Sequence, residues 1–107
     1  LLATLDAVAG RPAVGVGVEL EHRAASGWEL VGSSRTDDDG RVADLSPVDL
    51  DPGTYRIRFD TGTFFAAAAV PTFYPEVTLT FLIDDPAAHY HVPLLLSPYA
   101  FSTYRGS

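Results

Sequence analysis

The chain has no Cys, which excludes disulfides and thiolate metal sites and leaves the redox compartment unreadable from cysteine usage. Lys, Asn, Gln and Met are absent too, and all seven basic residues are Arg. We read this as a compositional bias of the source, not as function. The missing Met implies a start that is processed or trimmed, and no signal or transit peptide is visible, so a cytoplasmic protein is expected. No apolar run reaches the roughly eighteen residues of a membrane-spanning helix. Positive charge is scarce as well. A net charge of −7 argues against nucleic acid and anionic membranes as partners, and an anionic substrate would need a local basic pocket.

What is present fits one folded domain over 1–107, with 47% apolar and 20% charged residues. The dominant period is two. Val14, Val16, Val18 and Leu20 alternate with Gly15, Gly17, Glu19 and Glu21. Tyr55, Ile57 and Phe59 alternate with Arg56, Arg58 and Asp60, and Val77, Leu79, Phe81 and Ile83 follow the same rule. Each run reads as a half-buried strand. Turn signals separate them at 9–12, 25–27, 37–40, 51–53 and 84–86. Many short strands with regular turns imply an all-β sandwich or barrel. One segment argues for helix. Thr61 to Val70 holds Phe64, Phe65 and four consecutive Ala, with Pro71 as a stop. Trp28 reads as core or a strand-edge contact.

The densest chemistry lies in residues 89–107, His-Tyr-His-Val-Pro-Leu-Leu-Leu-Ser-Pro-Tyr-Ala-Phe-Ser-Thr-Tyr-Arg-Gly-Ser. On a strand, His89 and His91 would project from one face. Such a pair can chelate Zn²⁺, but a catalytic zinc usually wants a third protein ligand. It can equally be a solvent-facing pair. No metal and no other cofactor is expected. Pro93 should interrupt hydrogen bonding on one side of its strand, making an edge or a bulge there. Leu94 to Leu96 are candidates for core or for an interface. Arg41, after Asp39-Gly40, reads by itself as a solvated turn residue. The carboxylates at 37–39 lack the spacing of a calcium loop and read as a solvated turn. No nucleophile elbow or phosphate loop is evident.

Taken together, Leu5-Asp6, Gly10-Arg11-Pro12-Ala13, Thr36-Asp37-Asp38-Asp39-Gly40-Arg41, Gly53-Thr54-Tyr55, Phe73-Tyr74-Pro75-Glu76 and above all the Tyr104-Arg105-Gly106-Ser107 tail resemble the 5-hydroxyisourate hydrolases. These are the transthyretin-related enzymes of urate breakdown. The likeness spans essentially the whole chain. It implies a transthyretin-like sandwich of two antiparallel sheets with one short helix. It also implies a homotetramer, a dimer of dimers, and the hydrolysis of 5-hydroxyisourate to 2-oxo-4-hydroxy-4-carboxy-5-ureidoimidazoline. By the same resemblance Arg41 faces the substrate, where a planar guanidinium suits imide oxygens or urate-like anions. His91 becomes the catalytic base, with His89 beside it. Tyr104 and Arg105 become substrate contacts. Ser107 would offer its hydroxyl and an α-carboxylate that fixes the His91 tautomer.

The chain departs from the family at Ala3. The hydrolases carry a His in the first strand, two residues before the Leu-Asp pair, and here that position is Ala3. Ala3 is therefore expected to be a vacated substrate-binding position, where an imidazole would raise the rate at least about tenfold, or about 1.4 kcal/mol. Engineering, loss of activity and divergence with a replacement group all remain open. A second departure is Ala100-Phe101, where the family prefers Gly-Tyr. Two rival functions also stand. A transthyretin-like carrier would lack the His-x-His and the tail. A carboxypeptidase-regulatory-like structural module would share the Gly-Arg-Pro and Asp-Gly-Arg signals but leave 89–107 unexplained.

Overall fold

The computed structural model describes residues 1–7, 10–42, 45 and 50–106. Among these, β1 (Leu2–Ala7), β2 (Arg11–Pro12), β3 (Gly17–Ala24), β4 (Gly27–Arg35), β5 (Arg41–Val42) and β6 (Gly53–Phe59) come first. Helix α1 (Thr61–Ala67), β7 (Val77–Ile83), β8 (His91–Leu96) and β9 (Phe101–Thr103) complete the order. One sheet runs β4-β3-β6-β7 and is antiparallel throughout. The other runs β2-β1-β8-β9, with β5 also paired to β1. Period-two alternation decides the core between them. Val18, Leu20, Ile57 and Phe59 meet Ala3, Leu5, Leu94 and Leu96, each 4% exposed or less. Truncating Phe59 to Ala would cost about 3–5 kcal/mol by transfer and cavity terms.

The transthyretin-like sandwich expected from the sequence is what forms, with one refinement. The pairing of β1 with β8 is parallel, Leu2 opposite His91 through Asp6 opposite Leu95. The two strands lie far apart in sequence, so no tight hairpin constrains their direction. The expected helix is also present but ends at Ala67, short of Val70. Asp60 caps its start, accepting from Thr63 N–H at 3.3 Å and the Thr63 hydroxyl at 2.8 Å. Its last turn closes through N–H groups of Ala68 and Val70 to the Phe65 carbonyl, and Ala69 takes a left-handed φ of 56°. The run from Val14 enters its strand only at Gly17, because Gly15 turns at φ 76°.

The buried Thr36 hydroxyl clasps the turn side of the sandwich. It donates to the Ala13 carbonyl at 2.6 Å and accepts from Val16 N–H at 2.9 Å. That holds the chain leading into Arg41 against residues 13–16, and Ala13 N–H in turn donates to the Leu5 carbonyl of β1 at 3.0 Å. No helix among the described residues is long and apolar enough to cross a membrane.

Candidate functional site

The outer face of the β1-β8 sheet collects the chemistry, and local geometry explains how. Asp37 shapes the turn before β5: its carboxylate accepts the N–H groups of Asp39 and Arg41 at 2.9 and 3.0 Å. Gly40 sits at φ 72°, and a Cβ there would come 2.5 Å from the Leu5 carbonyl. Only glycine allows that approach, which lets Gly40 O accept from Leu5 N–H at 2.8 Å. The turn thus docks on β1 and sets Arg41 opposite Thr4. Paired residues on neighbouring strands share a face, so Arg41 and Thr4 point outward together while Val42 and Ala3 point into the core.

His91 joins them from β8. Its Nε2 lies 3.0 Å from the Thr4 hydroxyl oxygen. Its other ring edge faces the tail: Gly106 N–H donates to the His91 carbonyl at 2.9 Å, and a Cβ on Gly106 would collide with His91 Nδ1. The tail therefore needs glycine at 106 for close packing against an imidazole. The intervening ladder explains Pro93. β9 pairs regularly from Leu94 opposite Thr103 to Leu96 opposite Phe101, and pairing resumes at His91 opposite Gly106. In that register Pro93 stands opposite Tyr104, where it has no N–H to donate. The Thr103 hydroxyl instead donates to the Pro93 carbonyl at 2.6 Å. The interruption leaves Tyr104, 59% exposed, on the outer face.

Other tail and loop residues fall elsewhere. Arg105 points to the opposite face, with its guanidinium carbon 4.9 Å from the Tyr90 ring centroid. Tyr90 in turn donates to an Asp84 carboxylate oxygen at 2.8 Å and accepts from the N–H groups of Asp84 and Asp85. The Tyr90 hydrogen bond, with smaller help from backbone N–H groups and Arg105, holds the Asp84 carboxyl below its ordinary value. Arg105 thus anchors the tail on the face away from His91. His89 is exposed and precedes β8, so strand alternation does not pair it with His91. Ser107 lies outside the described residues.

Ala3 also lies away from this face. At 1% exposure its methyl is in the core, on the face away from His91 and Arg41. The expected vacated position is not on this outer face, because Ala3 shares the inward phase of Leu5 and Val42. The residue that reaches His91 is its neighbour Thr4, which the motif reading passed over. Alternation in Ala3-Thr4-Leu5-Asp6 was the signal for it. The exposed groups nearby include an apolar one, Leu95, 43% exposed between buried Leu94 and Leu96. A shallow concavity of about 370 Å³ lies lower on this sheet beside Asp6, Leu95 and Ser102. A larger one of about 600 Å³ sits on the other sheet among Glu19, Arg35, Arg58 and Glu76, away from the imidazole. Among the described residues no cluster of His, Asp and Glu is arranged to hold a metal.

Residues 2–106 match the family model described as the HIUase/Transthyretin family. The chain is 47% identical over 104 residues to a 5-hydroxyisourate hydrolase of Salmonella typhimurium, covering 96% of this chain and 76% of that one. Among solved structures it resembles 5-hydroxyisourate hydrolase of Klebsiella pneumoniae, with TM-score 0.86 and 33% identity, covering 99% and 91% of the two chains. It also resembles transthyretin of Sparus aurata, with TM-score 0.91 and 25% identity over 98% and 94%.

Proposed function

This chain belongs to the HIUase/Transthyretin family, and on that premise we propose that it hydrolyses 5-hydroxyisourate in urate breakdown, as one transthyretin-like unit over 1–107. The observation that carries the reading is the outer face of the β1-β8 sheet. It presents an imidazole, a guanidinium and a hydroxyl from three adjacent strands. Water adds to a ring carbonyl of the substrate, and the adjacent C–N bond opens. His91 takes the proton from the attacking water and then delivers it to the departing ring nitrogen, so the imidazole returns to its starting state. Arg41 opposes the negative charge that develops on the carbonyl oxygen. Tyr104 borders the same face and contacts substrate through its hydroxyl. The Ser107 hydroxyl is assigned to the same site by resemblance.

This face is open in a single protomer. Exposed Leu95, Tyr99 and Tyr104 lie on or beside it. A homotetramer, arranged as a dimer of dimers, would cover these groups and exclude water from the reaction. Light scattering at micromolar concentration should give four times the protomer mass. Cytoplasmic residence belongs to the same reading and is checked by fractionation.

The deciding assay is ultraviolet decay of freshly generated 5-hydroxyisourate. The chain should accelerate the decay, and His91→Asn should lower the rate roughly 10²–10⁴-fold with folding intact. No acceleration, with substrate nevertheless bound, would favour a non-catalytic binding protein of the same fold. Full activity in His91→Asn would remove the imidazole from the mechanism.

A further inference from the structure

We propose that Thr4 is the positioning residue for the His91 imidazole. The inference rests on the reading of His91 as the proton carrier, and adds to it a group from a different strand. Parallel pairing sets Leu2 opposite His91 and Thr4 opposite Pro93. Thr4 is therefore the next outward residue of β1 along the face from His91, and its short side chain reaches Nε2 at 3.0 Å. The antiparallel pairing with β5 puts the same residue opposite Arg41. One hydroxyl thus stands between the two strands that supply the imidazole and the guanidinium.

The ring is held from both edges. Gly106 packs against Nδ1 and leaves no room for a Cβ, so the tail limits rotation on that side. The Thr4 hydroxyl holds the other side, and being both donor and acceptor it can follow the imidazole through both protonation states. β-branching limits the Thr4 rotamers, so the oxygen is presented with little conformational cost. Losing the hydroxyl frees the ring about its last torsion. The effect belongs to the chemical step, not to substrate affinity.

Thr4→Val keeps the shape and deletes the hydroxyl, while Thr4→Ser keeps the hydroxyl. In ¹⁵N-resolved ring spectra the parent His91 Nε2 should carry the signature of a hydrogen bond, lost in Thr4→Val and regained in Thr4→Ser. With 5-hydroxyisourate, Thr4→Val should lower kcat about tenfold with KM changed less than about twofold, and Thr4→Ser should restore most of kcat. Unmoved ring signals in Thr4→Val overturn the proposal. So does an unchanged kcat in Thr4→Val when the parent is active, or a failure of Thr4→Ser to recover it. If the parent does not hydrolyse 5-hydroxyisourate at all, the functional reading fails by itself, and the ring spectra still decide whether the hydroxyl orients His91.

Discussion

The outer faces of the two sheets use their charges differently. On the β4-β3-β6-β7 sheet two arginines are paired with carboxylates. Arg56 pairs with Glu21 at 2.8 Å, and Arg58 reaches Glu76 at 3.3 Å and Glu21 at 3.6 Å. The hydrogen bond from Arg56 leads in lowering the Glu21 pKa, against a smaller opposing push from burial. Trp28 lies half-buried on this face, with the guanidinium carbons of Arg23 and Arg56 at 5.0 and 4.3 Å from its ring centroid, a strand-edge contact and not core. On the β1-β8 sheet, Arg41 has no ion pair among the described residues and stands beside a strand that carries a hydroxyl bonded to an imidazole. The first face has the larger concavity, the second the unspent chemistry. An arginine already paired with a carboxylate offers less to a ligand, whereas a guanidinium and an imidazole on one open face can act on one.

The sharpest way to break this contrast is to remove one cation from each face. Arg41→Gln should lower kcat/KM for 5-hydroxyisourate roughly 10²–10³-fold with little change in thermal unfolding. Arg56→Gln should leave turnover alone and cost less than about 1 kcal/mol of stability, since partly exposed ion pairs contribute little. Equal losses of activity from the two would erase the distinction between the faces.

Gly106→Ala tests the tail's packing. The added Cβ collides with His91 Nδ1, so either the ring turns or the tail lifts. Turnover should fall about ten- to a hundredfold, and the His91 ring resonances should shift with it. Wild-type turnover would mean that the tail does not constrain the imidazole.

Ala3→His separates the family-based expectation from the geometry. The core location of Ala3 implies overpacking, with a loss of about 1–3 kcal/mol in denaturant unfolding and no gain in turnover. A tenfold gain at unchanged stability would show instead that residue 3 reaches the outer face.

Acid supplies the mildest test. The Asp84 carboxyl is held below its ordinary value of 3.8, chiefly by the Tyr90 hydrogen bond. A depressed folded-state pKa contributes stability that is present above the unfolded value and disappears as pH falls through the folded one. Stability should therefore drop slightly below about pH 4. Tyr90→Phe should flatten that drop, and an acid limb unchanged in Tyr90→Phe would remove Asp84 as its source.

Much of this molecule is legible in the chain itself. Strict alternation at Tyr55, Ile57 and Phe59 dictates a strand with one buried face, and the helix announces itself by Asp60, an Ala run and Pro71. The helix ends early because its last carbonyls are satisfied by a left-handed Ala69, a backbone choice that propensity does not encode. The motifs name Arg41 and His91, which the fold brings to one face, and Ala3 and Arg105, which it places away from that face.

Local order is already written along the chain: period two for strands, glycines where the backbone must turn or approach closely, and a proline that cannot complete a ladder. Those effects act between near neighbours and need no partner to be specified. The tertiary structure alone decided that β1 runs parallel to β8, which in turn brings Thr4 to His91. It also decided that Arg41 meets the same face through β5, and that Arg105 stacks on Tyr90 behind it. These are pairings between residues far apart along the chain. Which of them form depends on burying Ala3, Leu5 and Leu94 in one shared core, a condition that only the whole fold can meet.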